Sequence, residues 1–308
     1  MSLPPNRLDR ELRLGVAALG VAIVLAAIIV GVRLAMNDDQ QTPLPAAPTS
    51  APIPTLPIAT MPPATPAPSP QPPSAELAAD GRSVVCLDPG HGGTDQGNVR
   101  VVDGEIVLEE KDFTLDHALT LGERLRSQGI EVVFTRTTDT EMNPDNQDVN
   151  DDGTVAAEGG PADSDQLDDL QARVFFCNES GADLLVSIHY NGAENEFLQG
   201  YEVWYNDERP FSDRSARFAT LMHASLAEKM QGAGYEAVDR GIGIEEHAVT
   251  GPARPGELDP SHMPGAVVEG LFLSNDDDAE FIVSDAGNEA LVTAYDEAIV
   301  EYFTEYPG

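Results

Sequence analysis

Residues 14–32 form an unbroken run of 19 apolar or glycine residues, and that run limits what the rest of the chain can be. At about 1.5 Å per residue a helix of this length spans roughly 28 Å, close to the hydrocarbon thickness of a bilayer. Arg7, Arg10 and Arg13 precede it, whereas Asn37, Asp38 and Asp39 follow the single Arg33. Positive charge beside a span tends to stay cytoplasmic. The asymmetry therefore predicts residues 1–13 in the cytoplasm, a single-pass anchor over 14–36, and the remainder outside the cell membrane. A cleaved signal peptide is the competing reading, but the run exceeds the usual signal core of about 7–15 residues and has no convincing small-x-small cleavage site.

Residues 37–80 read as a linker. Its centre, 42–74, is dominated by proline, alanine, threonine and serine, with no glycine and almost no charge. Proline fixes φ and removes a donor, so the stretch predicts an extended spacer reaching up to about 100 Å at ~3.1 Å per residue. A disordered tether with no required reach has the same composition. Residues 81–308 are enough for one buried core. The net charge of −36, with Lys111 and Lys229 as the only lysines, excludes binding to nucleic acid phosphates.

Within that region the periodicity predicts alternating strands and helices. Residues 83–87 read as a strand, 112–128 as a helix stopped by Gly129, and 130–135 as a second strand. Residues 167–180 read as a helix closed by Gly181, and 184–189 as a third strand. Further strands are expected at 201–205 and 266–268, and helices at 212–230, 276–282 and 288–303. The order implies an α/β fold, a mostly parallel twisted sheet flanked by helices. Ligands gather beyond the carboxyl ends of such strands.

At those ends stand His91, in Leu87-Asp88-Pro89-Gly90-His91-Gly92-Gly93, and His189, in Val186-Ser187-Ile188-His189-Tyr190-Asn191. With a carboxylate from Glu109-Glu110-Lys111-Asp112 they can hold one divalent ion and leave a position open for water. Glu269 sits in the apolar run Val267-Val268-Glu269-Gly270-Leu271-Phe272-Leu273-Ser274-Asn275. An acid kept in so apolar a place is costly, and beside a metal it can move protons during hydrolysis. A two-histidine, one-carboxylate set also suits iron; hydrolysis favours a Lewis acid without redox chemistry, hence zinc.

These four segments, in this order from about residue 83 to the C-terminus, closely resemble the zinc-dependent N-acetylmuramoyl-L-alanine amidases, a family of cell-wall hydrolases. The resemblance implies His91, Glu110 and His189 as zinc ligands, with Glu110 chosen over Glu109 because the family's ligand directly precedes a basic residue. It implies Glu269 as the catalytic acid, and peptidoglycan as substrate, cut between N-acetylmuramic acid and L-alanine. A non-catalytic peptidoglycan-binding module and a zinc peptidase acting on stem peptides are the alternatives. No motif identifies a protein activator.

Other residues carry weaker expectations. Cys86 and Cys177 read as separate buried thiols, although an oxidising compartment permits a disulfide. Asp88 could orient a ligand imidazole or cap its turn. His117 and His223 read as surface groups. The Gly- and Pro-rich stretch 250–265, between His247 and His262, reads as a loop near the metal rim able to shape the substrate groove or act as a lid. An acidic insert spans 141–169. In it Asp148, Asn150, Asp152 and Thr154 alternate as in a calcium loop, with Gly153 at the sharp turn. The twelfth position is Gly159, so Asp163 or Asp165 would have to complete the shell; a solvated acidic loop is the other reading.

Overall fold

The computed structural model describes residues 81–155, 164–245, 247–251 and 257–308. The expected cytoplasmic segment, anchor and linker lie outside them, as do 156–163 of the acidic insert and 252–256. Among the described residues no helix is long and apolar enough to cross a membrane.

Among the described residues eight strands and five helices alternate. β1 (Val84–Pro89) is buried throughout, and a hairpin follows, β2 (Val99–Val102) and β3 (Glu105–Glu109). Then come α1 (Glu110–Ser127), β4 (Glu131–Phe134), α2 (Ser164–Ser180), β5 (Leu184–Asn191) and β6 (Tyr201–Tyr205). α3 (Ser212–Gly232), β7 (Asp239–Ile244), β8 (Gly265–Phe272), α4 (Asp276–Val283) and α5 (Asp285–Glu305) complete the order. Local chemistry sets the last boundaries. Asn275 caps α4 by accepting from the backbone N–H groups of Asp277 and Asp278, and Ser284 caps α5 through Gly287.

The six-stranded sheet runs β4-β1-β5-β8-β6-β7. β4, β1, β5 and β8 are parallel, but β6 is antiparallel to β8, and β7 follows β6 in parallel. The sheet is therefore mixed but mostly parallel, as expected: of its five pairings only that of β6 with β8 is antiparallel. The connection from β5 to β6 contains no helix, and a parallel return needs a long crossover, so the chain reverses. The hairpin was also unforeseen, although Asp103-Gly104 signals it. Both residues take positive φ, 54° and 86°, as a two-residue primed turn requires.

Side chains alternate across the sheet. Val85, Leu87, Val186, Ile188, Val203 and Val268 point into the larger core, which α1, α3 and α5 cover. Val84, Cys86, Leu185 and Val267 point to the other side, where Val174 and Cys177 of α2 join Val249 and Met263. Cys86 and Cys177 face each other there and form a disulfide across 91 residues, correcting the free-thiol expectation. Both are buried as expected; what the sequence withheld is that α2 lies over β1.

Candidate metal centre

Asp88, Ser187, His189 and Glu269 share the face that α2 covers, because each is an even number of residues from Cys86, Leu185 or Val267. The loop after β1 carries His91, held in the left-handed region at φ 62°, an uncommon conformation for a side-chain-bearing residue. Gly90 lets this loop cross His189, since a Cβ there would lie 2.2 Å from the imidazole. Glu110 enters from the first residue of α1.

Three atoms converge. His91 Nε2 lies 3.1 Å from Glu110 Oε1, His189 Nδ1 lies 3.1 Å from the same oxygen, and the two nitrogens are 3.1 Å apart. Tetrahedral ligands about 2.0–2.1 Å from a zinc ion stand roughly 3.3 Å from one another, so the triangle suits such an ion. The protonation pattern points the same way. His91 Nδ1 lies 2.8 Å from Asp95 Oδ2, which in the neutral imidazole places the proton on Nδ1 and a lone pair on Nε2. Lone pairs then face one another, an arrangement that a cation or an extra proton must relieve. In its metal-free form burial pulls the His91 imidazole down, but the hydrogen bonds to Asp95 and Glu110 outweigh this and push it up to about 9. Burial raises Glu110, yet the hydrogen bonds to His189 and His91 hold its carboxyl far below the usual range.

A rigid frame surrounds the triangle. Glu110 Oε2 accepts from the backbone N–H and side-chain amide of Asn98, at 2.8 and 2.9 Å, and Oε1 also accepts from Tyr190 N at 2.8 Å. Glu109 points elsewhere, to Gln96 and Lys111. Asp88 neither touches a ligand imidazole nor caps its turn. It is buried and accepts from Thr135, Ser187 and Arg173, whose guanidinium also donates to the carbonyls of Pro89 and His91, at 3.0 and 2.7 Å. Asp95, Asn98 and Arg173 were not foreseen. Asp95, four residues after His91, was within reach of motif reading; Arg173, 82 residues away, was not.

Glu269 lies inside β8, not at the end of a three-residue strand. It is in register with His189 of β5 on one side and Glu202 of β6 on the other. Its Oε2 is closed to solvent and accepts no hydrogen bond. Burial, reinforced by Glu110 and Glu202 against the two histidines, pushes its carboxyl up to about 7. Asn191 donates to Glu202 at 2.8 Å and Arg240 pairs with it at 3.2 Å.

Other expectations change. His117 is fully buried and hydrogen-bonded to the Tyr190 hydroxyl, and burial pulls its imidazole down to about 4. His223 is half-buried, packed on Tyr201 and 2.7 Å from Asp239. The described parts of 250–265 are not at the metal rim: Asp259 and His262 bind Gln171 and Asn178 of α2, and the segment feeds the start of β8. His247 packs beside Trp204. The wall of the cleft at His91 and His189, about 730 Å³, comes instead from the acidic insert through Glu141, Asn143, Pro144 and Asn146. Asp148, Asn150, Asp152 and Thr154 lie further along that insert in one exposed turn, and Asp163 is outside the described residues.

Residues 85–301 match the family described as N-acetylmuramoyl-L-alanine amidase. The germination-specific N-acetylmuramoyl-L-alanine amidase of Bacillus subtilis (strain 168) is 28% identical over 223 residues, covering 72% of this chain and 80% of that protein. The probable cell wall amidase LytH of Staphylococcus aureus is 32% identical over 226 residues, 73% of this chain and 59% of its own. Among solved structures, the N-acetylmuramoyl-L-alanine amidase from Clostridium difficile 630 aligns with a TM-score of 0.55 at 25% identity, over 74% of this chain and 100% of that one.

Proposed function

The chain belongs to the N-acetylmuramoyl-L-alanine amidase family, and on that footing we propose that His91, Glu110 and His189 hold one zinc ion and that Glu269 carries the protons of the reaction. The enzyme is a hydrolase that cleaves peptidoglycan between N-acetylmuramic acid and L-alanine. One observation carries the metal reading: two imidazole nitrogens and a carboxylate oxygen at mutual distances of 3.1 Å. Zinc, when bound, supplies Lewis acidity that lowers the pKa of water to about 7 and polarises a carbonyl.

The protein's own groups do the rest. Asp95 and Asn98 fix the orientation of His91 and Glu110, as second partners of metal ligands do. Glu269, one strand from His189, takes the proton of the attacking water and returns it to the leaving nitrogen of L-alanine. Burial raises this carboxyl above its ordinary range, which suits both halves of that exchange.

The enzyme acts on the cell wall, outside the cytoplasm. For its delivery we keep the layout of residues 1–13 inside, 14–36 as anchor, 37–80 as spacer and 81–308 as catalytic domain. The apolar run, its flanking charges and the Cys86–Cys177 disulfide support it, since disulfides persist in oxidising compartments. The test is full-length protein incubated with purified peptidoglycan, with products read by mass spectrometry. New L-alanine amino termini are expected, lost on chelation, restored by zinc and absent with Glu269→Gln. Undiminished release after chelation, or by Glu269→Gln, overturns the assignment.

A further inference from the structure

We propose that Arg240 is a specificity residue whose guanidinium receives the free carboxylate of the second residue of the stem peptide. The proposal rests on the reading of Glu269 as the group that protonates the leaving nitrogen, because that reading sets the direction of the peptide. Along the strand order β5-β8-β6-β7, His189, Glu269 and Glu202 stand in one row, and Arg240 of β7 pairs with Glu202 at 3.2 Å. The attacked carbonyl lies at the metal and the nitrogen at the acid. The chain beyond that nitrogen continues in the same direction, toward β7.

The reach agrees. Neighbouring strands stand about 4.8 Å apart, so β7 lies roughly 10 Å from β8. Arg240 extends back across β6, and its guanidinium carbon lies 5.0 Å from the centre of the Phe272 ring, at the end of the strand that carries Glu269. Two residues of extended chain cover about 7 Å. Peptidoglycan supplies an anion at that distance, since D-glutamate follows L-alanine through its γ-carboxyl and leaves the α-carboxyl free.

Availability singles out Arg240. Its ion pair with Glu202 uses Nε, and neither Nη nitrogen donates to a group among the described residues. The side chain is 32% exposed, so a ligand can reach it. The ion pair and the aromatic ring hold the head, and the two Nη groups can take a carboxylate in the two-pronged manner of arginine. The cations around the metal loop are already engaged. Arg136 donates to backbone carbonyls, Arg173 to Asp88, Asp169 and the His91 carbonyl, and Lys111 pairs with Glu109 and Asp139. Glu141 and Asp169 line the cleft beyond His91, which suits the uncharged glycan better than an anionic peptide.

The test uses two synthetic N-acetylmuramoyl tripeptides that differ in one group, the α-carboxyl of D-glutamate, free in one and amidated in the other. Zinc-loaded full-length protein should cleave the free acid with kcat/KM at least about tenfold above the amide, as a charge-assisted hydrogen bond provides. Arg240→Gln should cut both at one lower rate, and Arg240→Lys, which keeps the charge without the fork, should retain part of the preference. If Arg240 acted only by holding Glu202, its loss would slow both substrates alike and leave their ratio unchanged; that result overturns the proposal. Calorimetric titration of the two peptides into zinc-loaded Glu269→Gln protein, with and without Arg240→Gln, reads the same preference without turnover. Absence of a preference in both assays also overturns it. Undiminished cleavage by Glu269→Gln would instead overturn the reading of that acid, so the two failures are distinct. Should Arg240→Gln fail to fold by circular dichroism, an undiminished ratio in Arg240→Lys overturns the proposal and a reduced one supports it.

Discussion

Replacing Glu269 by glutamine should stabilise the metal-free protein at alkaline pH while removing its activity. The carboxyl is raised from 4.5 to about 7, chiefly by burial. The folded state therefore holds this proton more tightly than the unfolded chain does. Glu269 favours folding fully below about pH 4.5, and that contribution is lost as pH rises through about 7. At 1.36 kcal/mol per pKa unit, the charged acid leaves the fold about 3 kcal/mol less stable at pH 8 than a group with no shift would. Glutamine carries no charge at either pH, so Glu269→Gln should gain on wild type as the pH is raised. Its amide brings N–H donors into a place where Oε2 had no partner, and an unmet donor costs about 1–3 kcal/mol. That penalty is the same at all pH values, so the slope is the secure part: the variant's advantage grows by about 2–3 kcal/mol between pH 5 and pH 8. Urea unfolding of both proteins in chelator at several pH values measures it. Parallel pH dependence of the two would refute the claim that Glu269 is held in its place against an electrostatic penalty.

The same residue sets the rate profile: kcat/KM should fall with one proton as pH drops through about 7 or below, since a bound cation lowers the value further, and an acid limb centred above pH 8 would contradict this. Asp95→Ala removes the oxygen 2.8 Å from His91 Nδ1 and should weaken zinc about 10–100-fold in a chelator competition, measured above pH 9 where no proton competes at His91. Arg173→Met leaves Asp88 buried without its counter-charge and should cost about 3–5 kcal/mol in urea unfolding; adding Asp88→Asn should restore a substantial part, and strict additivity would argue against a coupled pair. Cys86→Ala with Cys177→Ala opens a loop closed over 91 residues and should lower stability by about 2–5 kcal/mol, with wild type unaffected by alkylating reagents.

Much of the scaffold was legible because its strands are buried on both faces and so appear as apolar runs between turn residues, as in 184–189. His91 and His189 could be read because each ends or follows such a run; Glu110 follows the exposed strand β3 and was chosen over Glu109 by resemblance to the family. His117 shows where this fails. A helix oriented on the apolar pair Leu115 and Leu119 turns His117 outward, yet the buried stripe runs through Thr114, Ala118, Leu121 and Leu125, with His117 beside it. A helix packed against both a sheet and α5 buries a wide face, and the wheel alone cannot tell which polar residue finds a partner inside, here the Tyr190 hydroxyl. Arg173 and the disulfide were hidden for a single reason: both depend on α2 lying across β1, a tertiary fact no local pattern records.

The reversed strand β6 has a chemical consequence. Four parallel strands would bring His189 and Glu269 side by side, but only the antiparallel neighbour sets Glu202 in register with Glu269 on the same face. A second carboxylate beside a buried one raises it. Asn191 and Arg240 hold Glu202 in place, so the charge that lifts Glu269 is itself fixed. Burial and Glu110 do most to raise the proton-carrying acid, and the one antiparallel pairing adds the charge of Glu202 to them, on the sheet face that a single helix covers, where the strand ends remain open to substrate.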